Sequence, residues 1–262
     1  MGNTSIRFHR AIIVVVAAIM TLAVDARAEN ADDAARYRSC MELIAKNAEA
    51  AFDEAVAWQG LGGGAASEHC AGAALMALGY HRQAAERLET LAQRPMLEGP
   101  LKAGLLQQSA QGWLLANEPE RAYAVLTAAI DINPNNTDVW IDRGAVLAEM
   151  TLYDEAIEDL SRALTLSPAN ADAWAFRGSA FRYLDRLPEA MRDLDEAIRL
   201  APNHVEAYLE RGNVRRLLGD NAGARVDWLR VIELEPEAEA ADAARANIAR
   251  MDVKVDQAGE AE

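Results

Sequence analysis

The larger apolar residues between Asp172 and Leu184 include Trp174, Phe181 and Leu184. Their spacing of seven and then three sets them on one face of a helix. A turn follows, and Pro188 stands at a first helical turn, where its missing N–H removes no bond. The next run, to about Leu200, carries Ala190, Leu194 and Ala197 on one side and is stopped by Pro202 with Asn203. The pattern predicts two helices joined by a tight turn. Gly178 and Ala190 are small enough to let the two approach closely.

The same writing recurs. DAWAFRGSAFRYL at 172–184 is preceded by DVWIDRGAVLAEM at 138–150 and followed by EAYLERGNVRRLL at 206–218, each at an interval of 34 residues. Four columns hold this register: Pro134, Pro168, Pro202 and Pro236; Ala122, Ala156, Ala190 and Ala224; Leu126, Leu160, Leu194 and Trp228; Leu106, Trp140, Trp174 and Tyr208. A strict period of this length means stacked supersecondary units that cannot bury their apolar faces alone.

These columns resemble the tetratricopeptide repeat family. In 171–204 the match is Trp174, Gly178, Phe181, Ala190, Leu194, Ala197 and Pro202; in 137–170 it is Trp140, Gly144, Leu147, Ala156, Leu160, Ala163 and Pro168. Residues 103–136 match with Leu106, Ala110, Trp113, Ala122, Leu126, Ala129 and Pro134, while 205–238 keeps Tyr208, Gly212, Ala224 and Pro236 but departs at Arg215, Trp228 and Val231. The resemblance implies an all-α fold, a right-handed superhelical solenoid of antiparallel helix pairs. Upstream, 29–102 reads as a divergent helical layer, with helices over 37–45 and 49–61, then Gly79, Ala84, Leu88 and Leu91 at second-helix spacing. Residues 239–251 suit a polar capping helix and 252–262 an acidic tail.

An Arg precedes the Gly in three units, at Arg143, Arg177 and Arg211, and those units also carry an Asp sixteen residues later, at Asp159, Asp193 and Asp227. The first unit has Ser109 and Val125 there and lacks both. The covariation predicts an Arg to Asp pair tying the two helices of each unit. An arginine ladder for anions is the alternative, and the matching carboxylates argue against it.

Arg7 and Arg10 precede an apolar run over 11–24, and Ala26, Arg27 and Ala28 supply a small-x-small cleavage pattern. Residues 1–28 are expected to be a removed export signal, since the apolar run falls short of the roughly 20 residues that span a bilayer. The expected location is the periplasm or outside, after cleavage near Ala28. Lys and Arg number 26 against 41 Asp and Glu, a net charge of −15, which disfavours phosphate backbones and anionic headgroups. Nucleic acid and membrane embedding are therefore not expected, and a basic partner is favoured. In an oxidising compartment the two cysteines permit one intrachain bridge, Cys40 to Cys70, with two buried free thiols as the alternative.

Little in the chain suggests chemistry, and no cofactor or metal is expected. Glu68, His69 and Cys70 are consecutive and so point to different sides of a helix. His69 and Cys70 are nonetheless the best candidates for an enzyme reading. The favoured function is a non-enzymatic scaffold for a protein or peptide, with a self-associating assembly module as the second class. By the family resemblance, the first helix of each unit lines a concave groove, presenting Asp138, Ile141, Asp142, Asp172, Phe176, Arg182, Tyr183, Leu209, Glu210, Asn213 and Arg216. Gln107, Gln108 and Gln111 would continue it. Phe176, Tyr183 and Leu209 are the expected apolar anchors.

Overall fold

The computed structural model describes residues 31–259, and among these it holds thirteen helices and no strand. The expected export signal, 1–28, lies outside the described residues. Two compact units divide the chain between Met150 and Thr151.

The first unit contains α1 (Ala31–Lys46), α2 (Ala48–Gly60), α3 (Gly64–Ala77), α4 (His81–Ala92), α5 (Gly99–Leu115), α6 (Pro119–Ile132) and α7 (Thr137–Glu149). The second contains α8 (Tyr153–Leu166), α9 (Ala171–Tyr183), α10 (Leu187–Leu200), α11 (Val205–Leu217), α12 (Asn221–Leu234) and α13 (Glu239–Gly259). Within each unit, helices consecutive in the chain pack together, as solenoids of helix pairs do. The final helix continues past the expected end at Met251, because no proline or glycine interrupts it before Gly259.

The repeated columns are the core. Ala122, Ala156, Ala190 and Ala224 are each fully buried, and so, to within 1%, are Leu126, Leu160, Leu194 and Trp228. A leucine buried this completely contributes about 2 kcal/mol, and the alanines set how near the paired helix can come. A Cβ added at Gly178 would stand 2.8 Å from Leu194 Cγ, so side-chain packing rather than backbone freedom selects glycine there.

The turn inside each hairpin is also periodic. Asn117, Thr151, Asp185 and Gly219 share the 34-residue register and all have positive φ, between 58° and 86°. A left-handed residue just past a helix end lets the next N–H reach back five residues. Glu118 N bonds Trp113 O, Arg186 N bonds Phe181 O and Asp220 N bonds Arg215 O, each at 2.9 Å. At the starts of the first helices Asn136 and Asn170 cap the backbone amides of Asp138 and Ala173, at 3.1 and 2.9 Å.

The amino-terminal layer has its own core of Tyr37, Cys40, Ala55, Trp58, Ala66, Cys70 and Ala71. Cys40 on α1 and Cys70 on α3 stand as a disulfide with Cα atoms 6.4 Å apart, and both residues are fully buried. That separation lies within the range a bridge tolerates.

Candidate interaction surface

The Arg column forms a two-way brace. Arg177 on α9 donates from Nε to Asp193 Oδ2 at 2.7 Å and from Nη2 to Asp193 Oδ1 at 3.2 Å, reaching forward to α10. Its Nη1 reaches backward to Ser161 Oγ on α8 at 3.0 Å. Arg211 repeats both contacts, to Asp227 at 2.9 and 2.7 Å and to Asp195 at 2.7 Å. Arg143 makes the backward bond to Thr127 Oγ1 at 3.1 Å. The predicted pairs within the second unit are thus present, and the backward arm is an addition that the sequence reading missed. Its signal was legible: Thr127, Ser161 and Asp195 all lie sixteen residues before an arginine.

A second periodic contact went unread. Trp140 and Trp174 donate through Nε1 to the carbonyls of Pro134 and Pro168, and the Tyr208 hydroxyl donates to that of Pro202, at 2.9, 2.8 and 3.2 Å. The aromatic column therefore ties each first helix to the loop that precedes it. Arg143, Arg177 and Arg211 lie over the same rings at 5.0, 4.7 and 5.4 Å. The departures at 205–238 have equally local causes. Arg215 pairs with Asp227, 2.9 Å away, and Trp228 fills the space above Gly212.

Of the expected groove residues in the second unit, several are held by the protein itself. Phe176 and Leu209 are 9% and 2% exposed, so they are core side chains and not the exposed anchors expected. Leu209 packs with Trp228, Val231 and Ala244. Arg182 on α9 pairs with Glu210 on α11 at 2.5 Å and lies 4.1 Å above the Tyr183 ring, which in turn stacks on Tyr153 at 4.7 Å. Asn213 is tied to Asn247 at 2.9 Å. Arg216 is exposed.

His204 occupies the capping register of Asn136 and Asn170 and lies between two carboxylates. Its Nε2 is 3.1 Å from Asp172 Oδ1 and its Nδ1 is 3.3 Å from Glu206 Oε2. The first approach has ion-pair distance without hydrogen-bond alignment. Burial pushes the imidazolium pKa down, but Asp172 and Glu206 outweigh it and raise it to about 9. The same contacts lower both carboxyls.

In the first unit, Ile141 is buried at 7% exposure, another correction to the expected lining. Asp142 on α7 is partly buried and accepts from Gln107 Nε2 on α5 at 2.7 Å. Burial raises its pKa to about 7; the Gln107 bond opposes the shift, and the charge of Asp138 one turn earlier adds to it.

The candidates for chemistry are engaged structurally. Cys70 is in the disulfide. His69 is 2% exposed; Tyr37 Oη lies 2.7 Å from its Nδ1 and Gln108 Oε1 lies 2.7 Å from its Nε2. A neutral ring with its proton on Nε2 satisfies both contacts, and burial holds its pKa low. Among the described residues no group of three or more His, Cys, Asp or Glu could hold a metal ion, and no helix is long and apolar enough to cross a membrane.

Stacked helix pairs with a fixed frame and a changeable first-helix face define a repeat scaffold of the protein-interaction class. The chain belongs to the tetratricopeptide repeat family: that family's sequence profile matches 114–171, 141–203 and 177–245, together half of the chain. No curated protein matches it. Among solved structures, MamA (41-end) from Desulfovibrio magneticus RS-1 is similar at 20% identity, covering 67% of this chain and 97% of its own, with a TM-score of 0.57. The MamA RS-1 ArsTM double mutant is similar at 20% identity, 67% and 96% coverage and a TM-score of 0.56. YrrB, described as a TPR protein with an unusual peptide-binding site, follows at 16% identity, 69% and 91% coverage and a TM-score of 0.50. Likeness at these identities is a likeness of fold.

Proposed function

We propose that this chain is an exported scaffold that holds a partner protein or peptide along the face formed by the first helix of each pair. One observation carries the reading: the packing columns repeat while that face changes at every step. Where that face is at least partly exposed, one register reads Leu115, Glu149, Tyr183 and Leu217. A frame needed only for stability would gain nothing from such variation. The peptide site described for YrrB is consistent with the reading, and the acidic balance favours a basic partner.

A photoreactive residue at Arg216, on α11, compared with one at exposed Arg192, on α10, tests the face in an envelope extract. One partner crosslinked from Arg216 and not from Arg192 supports it; equal crosslinking from both moves the site elsewhere. Export is tested by mass spectrometry of the periplasmic fraction. An amino terminus at Glu29 is expected, and retention of residues 1–28 overturns export.

A second reading, self-association, draws on Val226 and Leu229. They are 63% and 51% exposed at registers where Glu158 and Arg192, and Ser161 and Asp195, stand in the two preceding units. A mass by light scattering that rises with concentration, and stays constant in Val226→Arg/Leu229→Asp, would favour it.

A further inference from the structure

The carboxylates along the first-helix face differ in who neutralises them. In the second unit, Glu210 is paired with Arg182, while Asp172 and Glu206 flank His204. Asp142 has no such counter-ion. Its hydrogen bond is with the neutral amide of Gln107, through Oδ2 at 2.7 Å, and no described residue bonds its Oδ1. Gln107 is only 4% exposed, so its amide is fixed and holds the carboxylate in place.

A partly buried carboxylate without a cation has lost part of its hydration and has gained no charge partner in return. Asp138, one turn earlier on α7, adds a second negative charge. A further side chain points the same way. Gln111 lies one turn beyond Gln107 on the same face of α5, is 9% exposed, and makes no hydrogen bond with any described residue. Its side-chain nitrogen and oxygen are not sealed from solvent, so a ligand group can reach them. The unused Asp142 Oδ1 and the Gln111 Oε1 are both acceptors, and what they lack is a donor carrying positive charge.

We infer that Asp142, with Gln111 beside it, is the seat for one lysine or arginine side chain of a bound extended peptide. An ammonium has three donors and no acceptor, which suits a positioned, partly desolvated carboxylate with an amide oxygen near it. The apolar stem would lie over the buried Ile141 and Ala145 strip of α7. This inference rests on the peptide-holding reading above. It can fail alone, because the crosslinking position at Arg216 is in the other unit.

The test is NMR titration of the protein with N-acetyl-pentalysine amide, at near-physiological salt, against the same peptide with norleucine at every position. The expected result is saturable perturbation of the Gln111 side-chain amide and the Asp142 backbone amide by the lysine peptide alone. Asp142→Asn keeps an acceptor for Gln107 and should weaken binding at least tenfold, with the lysine to norleucine discrimination lost. Glu237→Gln, an exposed change in a loop, should leave both unaltered. Absence of lysine binding overturns the inference, as does equal affinity in Asp142→Asn or perturbation confined to other acidic surfaces. N-acetyl-lysine methylamide binding as tightly as the peptide would also overturn it, by showing a site for a free cation rather than a chain.

Discussion

Arg177 holds Asp193 through two parallel hydrogen bonds while its third arm bonds Ser161 on the preceding helix. Asp193 is 6% exposed, so removing the arginine leaves a carboxylate with no room to rehydrate. Arg177→Met should cost about 3 kcal/mol, and Arg177→Met/Asp193→Leu should recover part of that loss. Urea unfolding of the four corners of the cycle measures it. A double variant as unstable as the single would show that packing, and not the orphaned charge, carries the effect.

His204 gives the second unit a stability that depends on pH. Its pKa rises from an ordinary 6.5 to about 9 in the fold, so the folded chain binds that proton more tightly than the unfolded one. The contribution is complete below pH 6.5 and is lost as pH climbs through 9. Ala207 N lies 3.3 Å from Nδ1, and the neutral ring can accept its hydrogen bond as the helix cap. His204→Asn, which restores the residue at Asn136 and Asn170, should flatten the slope of stability between pH 6.5 and 9. Parallel slopes for both proteins would sink the idea.

What the sequence revealed divides along a physical line. The Arg to Asp pairs at 177 and 211 were legible because both members lie within one unit and vary together. Arg182 with Glu210 was not, because the two lie in successive repeats and the same registers hold Ala148 and Phe176 one step earlier. Phe176 and Leu209 were misplaced for a related reason: helical periodicity says which residues share a face, but not whether the next hairpin covers it. The His204 bridge had a visible signal, a histidine in a column of asparagines, but its carboxylate partners only converge once α9 and α11 pack together.

Gly212 and Gly104 should respond oppositely to the same change. A Cβ at Gly212 would stand 2.5 Å from Trp228 Nε1, whereas one at Gly104 meets nothing within 4 Å. Gly212→Ala is expected to destabilise by about 1 to 3 kcal/mol, and Gly104→Ala to stabilise by about 0.5 to 1 kcal/mol through helix propensity alone. Thermal melts of the two variants decide it. Equal shifts would mean that the tryptophan swings aside at no cost.

The Cys40 to Cys70 bridge closes a loop of 30 residues. Its removal by Cys40→Ser/Cys70→Ser should cost about 3 to 4 kcal/mol in the chain-entropy account, with faster hydrogen exchange confined to α1, α2 and α3. Alkylation of the unreduced protein should add no mass. Two alkylated thiols would show that the bridge does not form.

The brace at each arginine has a consequence for how such a chain can change length. Segments 137–170 and 171–204 each carry an arginine, a carboxylate sixteen residues on and an acceptor for the segment that follows. Excising residues 171–204 would set Arg211 sixteen residues after Ser161 and leave it sixteen before Asp227, with both bonds available again. Duplication of the same segment leaves no arm idle either. Insertions or deletions of any other size break the register, so this gene can gain or lose reach only in whole hairpins.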